Sequence, residues 1–232
     1  MHTRVETTDK GPVHIVLPDD HDPREGVIIY LHGWNLGKKK GDWYVDQVWE
    51  EFGLERKLEL SGSKAALVAI ATQDGKGRPR YWESLEELLE LVTCHLPPSW
   101  RTDYWVHVIG HSGAWANSVA WLESDQLNHL TLLDAIYGGA NHFRDWSLQP
   151  GRYLDIGVNH GSGTHKKAWQ IIKEHPSYHV WGVMPDLDAK LETCGMVYMP
   201  IKLGHMEWVN KDDPFALFAK RSAAIRSGME GR

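Results

Sequence analysis

Cysteine is scarce in this 232-residue sequence: only Cys94 and Cys194 occur, too few for a disulfide framework or a four-thiolate zinc site. Basic charge is not in excess either. Lys and Arg number 25 against 31 Asp and Glu, a net charge of −6, which argues against a chain built to grip nucleic acid or an anionic membrane. No window comes close to the ~18 continuous apolar residues of a membrane span, and the opening MHTRVETTDKGPVH lacks the apolar core of a signal peptide. A cytoplasmic location is expected, although a chain whose leader had been removed would read the same. Low-complexity tracts, internal repeats and Gly/Ser-rich linkers are missing too, so the expectation is one domain over residues 1–232. The irregular stretch 176–195 is either a lid or a long connection.

What the sequence does hold is an ordinary globular balance, 42% hydrophobic and 24% charged, with 12 Trp and 14 His. Apolar runs alternate with helical patterns. Residues 13–17 (VHIVL), 26–31 (GVIIYL), 66–71 (ALVAIA), 105–109 (WVHVI), 130–134 (LTLLD), 153–158 (YLDIGV) and 197–203 (VYMPIKL) read as strands. Pro200 inside the last of these points to a sheet edge or an early strand end. Helices are expected from Asp42 to Phe52, where Val45, Val48, Trp49 and Phe52 share a face, and along Leu85, Leu88, Leu89, Val92 and Leu96, stopped by Pro97 and Pro98. Further helices are expected over 114–123, over 164–174, and from Asp213-Pro214 with Phe215, Phe218 and Ile225 on one face. Continuous apolar strands alternating with helices predict an α/β protein whose mostly parallel sheet of about seven or eight strands is covered on both faces.

The stretch that carries chemistry is VHVIGHSGA, residues 106–114. A strand runs into Gly110-His111-Ser112-Gly113-Ala114 and a helix follows at once. Small residues two before and two after Ser112 allow a sharp turn that lifts its hydroxyl off the sheet edge, with the next backbone N–H at a helix start. The competing reading is a serine that merely caps the helix. The arrangement resembles the nucleophile elbow of the α/β-hydrolase superfamily, with Ala114 where the family's G-x-S-x-G has its last glycine, and strand alternation and motif order extend the resemblance over residues 13–225.

That resemblance implies the α/β-hydrolase fold and the family order serine, acid, histidine. It makes Ser112 the nucleophile. It makes His205, in LGHMEW after the last strand, the base. The N–H groups of Gly113 and of Trp34, in LHGWN after an early strand, become the oxyanion donors. The acid is open. Asp134, ending an otherwise apolar strand, is preferred because an unpaired carboxylate there is costly. Asp155 on the following strand and Asp186 and Asp188 in the irregular stretch are the alternatives.

His111, Trp115 and Asn35 are expected to contact substrate. Trp34, Trp43, Tyr81, Trp82 and Trp115 either wall a pocket or fill the core. Lys38, Lys39, Lys40, Lys76, Arg78 and Arg80 either form a cationic rim for anionic substrates or are solvated loop residues. The pairs His160/His165 and His175/His179 have metal-like spacing but no completing ligands, so no metal and no cofactor is expected. The implied activity is hydrolysis of an acyl bond, a carboxylic ester first, in a small-molecule or polymer-borne substrate. An amidase, a peptidase, an acyltransferase and a non-catalytic binding protein are the rival readings on the same fold. No feature specifies an oligomeric state.

Overall fold

The structure is a computed structural model that describes residues 1–33, 49–50, 52–70, 72, 82–98 and 104–230. Among the described residues, nine strands form one sheet: β1 (His2–Thr8), β2 (Gly11–Leu17), β3 (Val27–Leu31), β4 (Ala66–Ile70), β5 (Val106–His111), β6 (Leu127–Leu133), β7 (Tyr153–Asn159), β8 (Tyr178–Val180) and β9 (Met196–Ile201). Their spatial order is β1-β2-β4-β3-β5-β6-β7-β9-β8. The β1–β2 and β2–β4 pairs are antiparallel and the rest parallel. The mostly parallel sheet is as expected. The strands beyond the expected set are β1 and β8, one at each edge.

Among the described residues, seven α-helices with both ends defined accompany the sheet: α1 (Leu54–Ser61), α2 (Leu85–Thr93), α3 (Trp115–Trp121), α4 (Ala140–Ser147), α5 (Gly163–Ile172), α6 (Glu207–Asn210) and α7 (Asp212–Glu230). They divide between the two faces. On one face Leu85, Leu88, Leu89 and Val92 of α2 pack with Trp121, Phe143, Trp146, Ala168, Ile171 and Ile172. On the other, Leu54 and Leu58 of α1 pack with Trp208, Val209, Phe215, Leu217 and Phe218. The α2 stripe begins where Ser84 caps the helix by accepting from the Glu87 N–H. The helix expected from Asp42 lies almost wholly outside the described residues. Among the described residues, no helix is long and apolar enough to cross a membrane.

Pro200 has a physical place. It pairs with Val158 of β7 on one side, while on the other β8 ends opposite Tyr198. Its missing N–H therefore meets no strand; β9 is not the sheet edge, since β8 lies outside it, but it ends at Ile201, short of the expected residue 203. Within residues 176–195, β8 pairs with β9, Trp181 stacks on Phe218 at 5.9 Å, and Lys220 Nζ donates to the Leu187 carbonyl.

Parallel register decides where chemistry can happen. Leu31 pairs with Gly110, Gly110 with Leu132, Leu133 with Gly157, and Gly157 with Met199. The residues that follow each strand (His32, Ser112, Asp134 and His205) therefore emerge along one edge. Chain order reverses between β3 and β5, because β4 lies to one side of β3 and β5 to the other. Open α/β sheets hold their ligands above such a reversal.

Candidate active site

Ser112 opens a short 3-10 turn, Ser112–Ala114, between β5 and α3. Its φ is 55°, and among the described residues the other non-glycine residue with a left-handed backbone is Asp134 at 44°. Such conformations cost L-residues about 1 kcal/mol or more and persist only where the surroundings enforce them. Tight packing enforces this one. A Cβ on Gly33 would stand 2.0 Å from Gly113 N and 2.7 Å from Ser112 Cβ, so only glycine lets the loop after β3 reach the turn. On its other side, Gly110 leaves room for Ser118 Oγ and Ala114 Cβ, each just over 3 Å from where its own Cβ would be.

The His205 loop is clamped by its own side chain. Glu207 Oε2 accepts from the Gly204 N–H at 2.6 Å, while the Glu207 N–H donates to the Gly204 carbonyl at 2.9 Å. The Gly204 N–H and Lys211 hold the Glu207 carboxyl below its ordinary value. From this turn His205 places Nδ1 2.6 Å from Asp134 Oδ2 and Nε2 2.9 Å from Ser112 Oγ. A carboxylate only accepts, so Nδ1 carries the proton, and Nε2 accepts from the serine hydroxyl. The 93-residue separation of Ser112 and His205 is closed by the sheet edge.

Asp134 is well supplied with donors. Its N–H bonds the Gly157 carbonyl at 2.7 Å, its Oδ1 accepts from Thr164 Oγ1, and the Asn159 backbone N–H also donates to the carboxylate. Burial alone would raise its pKa. The bonds from His205, Thr164 and Asn159 outweigh burial and hold it below the usual carboxylate value. Among the described residues, Asp134 is the carboxylate bonded to His205. Asp155 sits instead in a fully buried network, bonding Arg221 and His129 at 2.8 Å each. Asp186 and Asp188 lie in the 176–195 stretch beside α7, where the Asp186 carbonyl accepts from the Ala189 N–H.

One expectation needs correcting. His111 does not face the opening: it is fully buried, and its Nε2–H donates to the His205 carbonyl at 3.0 Å. As the last residue of β5 it shares the sheet face of His107 and Ile109, which alternation turns beneath α7. Its ring lies 4.6 Å from His205 and 5.3 Å from His32. Burial, with His32 and His205 adding to it, pushes the His111 pKa well down, and burial plus His205 takes His32 to about 3. Both are neutral supports beneath His205. Trp115 is half-buried and its ring covers Gly138, whose Cβ would come within 2.6 Å of it. Trp82 belongs to the core, its carbonyl accepting from Asn117 Nδ2 and Trp121 Nε1.

Gly113 lies in the Ser112 turn, but Trp34 and Asn35 fall outside the described residues. So do Trp43, Tyr81 and all six residues of the suggested cationic rim. His175 is a packing residue, with Nδ1 accepting from the Ser177 N–H and Nε2 facing the Ser147 carbonyl, whereas the His160 and His165 rings lie 4.7 Å apart. Thr164, Tyr137 and Glu207 had no role in the sequence reading. Of these, Tyr137 alone carries a local signal, three residues beyond Asp134 in the stretch DAIYGG.

No family model matches the chain, and no curated protein does. Solved structures do. The feruloyl esterase module from Clostridium thermocellum, complexed with sinapinate, aligns with a TM-score of 0.53 at 12% identity, covering 93% of this chain and 86% of that one. A ferulic acid esterase from Anaeromyces mucronatus aligns at 0.54 and 13% identity, covering 96% and 91%. A peroxisomal α/β-hydrolase from Saccharomyces cerevisiae gives 0.54 and 13%, covering 95% and 83%. At this identity the likeness is one of architecture, and the architecture is the α/β-hydrolase fold.

Proposed function

We propose that this protein is a serine hydrolase that cleaves a carboxylic ester through an acyl-enzyme. The observation that carries the reading is the continuous hydrogen-bonded chain from Asp134 through His205 to Ser112, at 2.6 and 2.9 Å, ending on a serine held at φ 55° on a turn between strand and helix. A serine hydroxyl is a poor nucleophile until a base takes its proton. His205 Nε2 would take it as Oγ attacks the ester carbonyl, with Asp134 stabilising the imidazolium. The Gly113 N–H, and by resemblance that of Trp34, would receive the oxyanion, each contributing on the order of 3 kcal/mol. The imidazolium would then protonate the departing alcohol. Water, deprotonated by the same ring, would release the acid and regenerate Ser112. Neither step calls on a cofactor.

Esterases among the structural neighbours support an ester ahead of an amide. A fluorophosphonate probe tests the reading: wild type should be labelled on Ser112 and Ser112→Ala should not. A panel of short alkyl, long alkyl and aromatic esters, with matched amides, should then give turnover on at least one ester class. Labelling without ester turnover would move the assignment to amide or acyl-transfer chemistry. No labelling at all would leave a binding protein on a hydrolase fold.

A further inference from the structure

We propose that Tyr137 is a positioning residue for His205, its phenol oxygen serving as a second acceptor for the Nδ1–H when the ring takes the Ser112 proton. This rests on the serine-hydrolase reading. The oxygen stands 3.5 Å from His205 Nδ1, the outer limit of a hydrogen bond, behind the 2.6 Å contact to Asp134. The two rings meet edge to face, 6.2 Å apart at 80°. A positive ring draws such a bifurcated acceptor closer than a neutral one does.

The loop that carries Tyr137 is built not to move. Its N–H bonds the Ala135 carbonyl at 3.1 Å, and its own carbonyl accepts from Lys167 Nζ. Gly138 behind it is pinned under Trp115. Burial and the neighbouring Asp134 charge raise the phenol pKa against the pull of Ser112, so the group stays a neutral hydroxyl with lone pairs to offer. At 46% exposure it adds little to the core, which leaves packing a poor account of its placement. Among the described residues, the other titratable groups around His205 are Asp134 at Nδ1, His111 beneath with His32 behind it, and Glu207 on its own loop.

Tyr137→Phe removes the oxygen and keeps the ring. We expect kcat to fall about 10-fold with KM within about 2-fold, the acid limb of the kcat–pH profile to move to lower pH, and the melting temperature to hold. The His205 imidazole resonance should move with that limb when titrated by NMR without substrate. Tyr137→Leu should move it no further. A Phe variant with wild-type kcat and an unmoved limb overturns the proposal, as does one in which KM alone rises, because the phenol would then be contacting substrate. If wild type and Ser112→Ala respond identically to fluorophosphonate, the hydrolase reading itself fails and takes this proposal with it.

Discussion

Thr164 donates its hydroxyl hydrogen to Asp134 Oδ1, the carboxylate oxygen that His205 leaves unused. The two residues lie on different segments, Asp134 just past β6 and Thr164 in the first turn of α5, so the bond ties the carboxylate to a helix. Ser162, which caps α5 by accepting from the His165 N–H, stands 2.7 Å from the same threonine hydroxyl. The orientation of the carboxylate is thus fixed by a capped helix start rather than by a free side-chain rotor.

Removing that bond without changing shape should be felt in the rate. Thr164→Val is expected to lower kcat about 10-fold, since a hydrogen bond to a charged group contributes roughly 1.5–3 kcal/mol and part of it is used in orienting Asp134. KM on a short ester should change little. Steady-state kinetics beside wild type decide it, and an unaltered kcat would show that His205 and the Asn159 N–H hold the carboxylate unaided.

The two buried aspartates should part company when each is changed to asparagine. Asp134→Asn should cost turnover by about 10⁴-fold, because an amide in that place favours the wrong imidazole tautomer. Asp155→Asn should act on stability instead. It removes the negative charge that compensates Arg221, which is fully buried and bonded to Asp155 at 2.8 Å, and leaving one ion of a buried pair uncompensated costs about 3–5 kcal/mol. Melting curves and kcat measured on both variants give the comparison. If Asp155→Asn alone abolished turnover in a fully folded protein, the acid would have been misassigned.

Gly33 offers a steric test of the turn. The nearest atoms to an added Cβ are Gly113 N at 2.0 Å and the His111 carbonyl oxygen at 2.5 Å, backbone atoms that cannot swing aside. Gly33→Ala should therefore push the chain after β3 away from Ser112, costing about 1–3 kcal/mol of stability and slowing fluorophosphonate labelling by at least about 100-fold by displacing the Gly113 N–H proposed to receive the oxyanion. Gly62→Ala, where nothing lies within 4 Å of the new carbon, is the control for an ordinary glycine change at a helix end, and its labelling rate should match wild type.

The parts of this molecule that were legible in its sequence are those whose signal is local. β3 to β7 and β9 announce themselves as continuous apolar runs because both faces are covered. Ser112 and His205 could be picked out because a strand, a turn of small residues and a helix succeed one another at the right places. β1 was missed because its exposed residues carry no apolar alternation, and β8 because three exposed residues make no pattern at all. α4 buries only Phe143, Trp146 and Ser147, too little periodicity to mark a helix. Thr164, Tyr137 and Glu207 take their roles from contacts made only when the chain folds, 30 residues apart in the case of Thr164 and Asp134. His111 was misjudged for a reason that strand parity could have cured: counting in twos from His107 puts it under the sheet, not above it.

Four of the buried histidines tie the stability of the fold to acid. His32, His107, His111 and His129 all have pKa values pushed down, burial being the largest cause in each, and the His107 and His129 rings stack at 3.9 Å, where two positive charges would repel. A histidine that is neutral in the fold and takes up a proton near pH 6.5 when unfolded contributes stability that is fully present above that value. The contribution is lost as pH falls from 6.5 toward the folded pKa, about 3 for His32. Over that window His32 alone removes up to about 1.4 kcal/mol per pH unit. Asp134 works in the opposite sense and lower down: its depressed pKa means that its contribution disappears only as pH drops below the ordinary aspartate value of 3.8. Urea unfolding at intervals from pH 7.5 to about 4 should therefore show stability falling steeply below about pH 6.5, with uptake of more than one proton per molecule on unfolding. A flat profile down to pH 5 would mean that these rings are already charged inside the fold, and the neutral support beneath His205 would have to be abandoned.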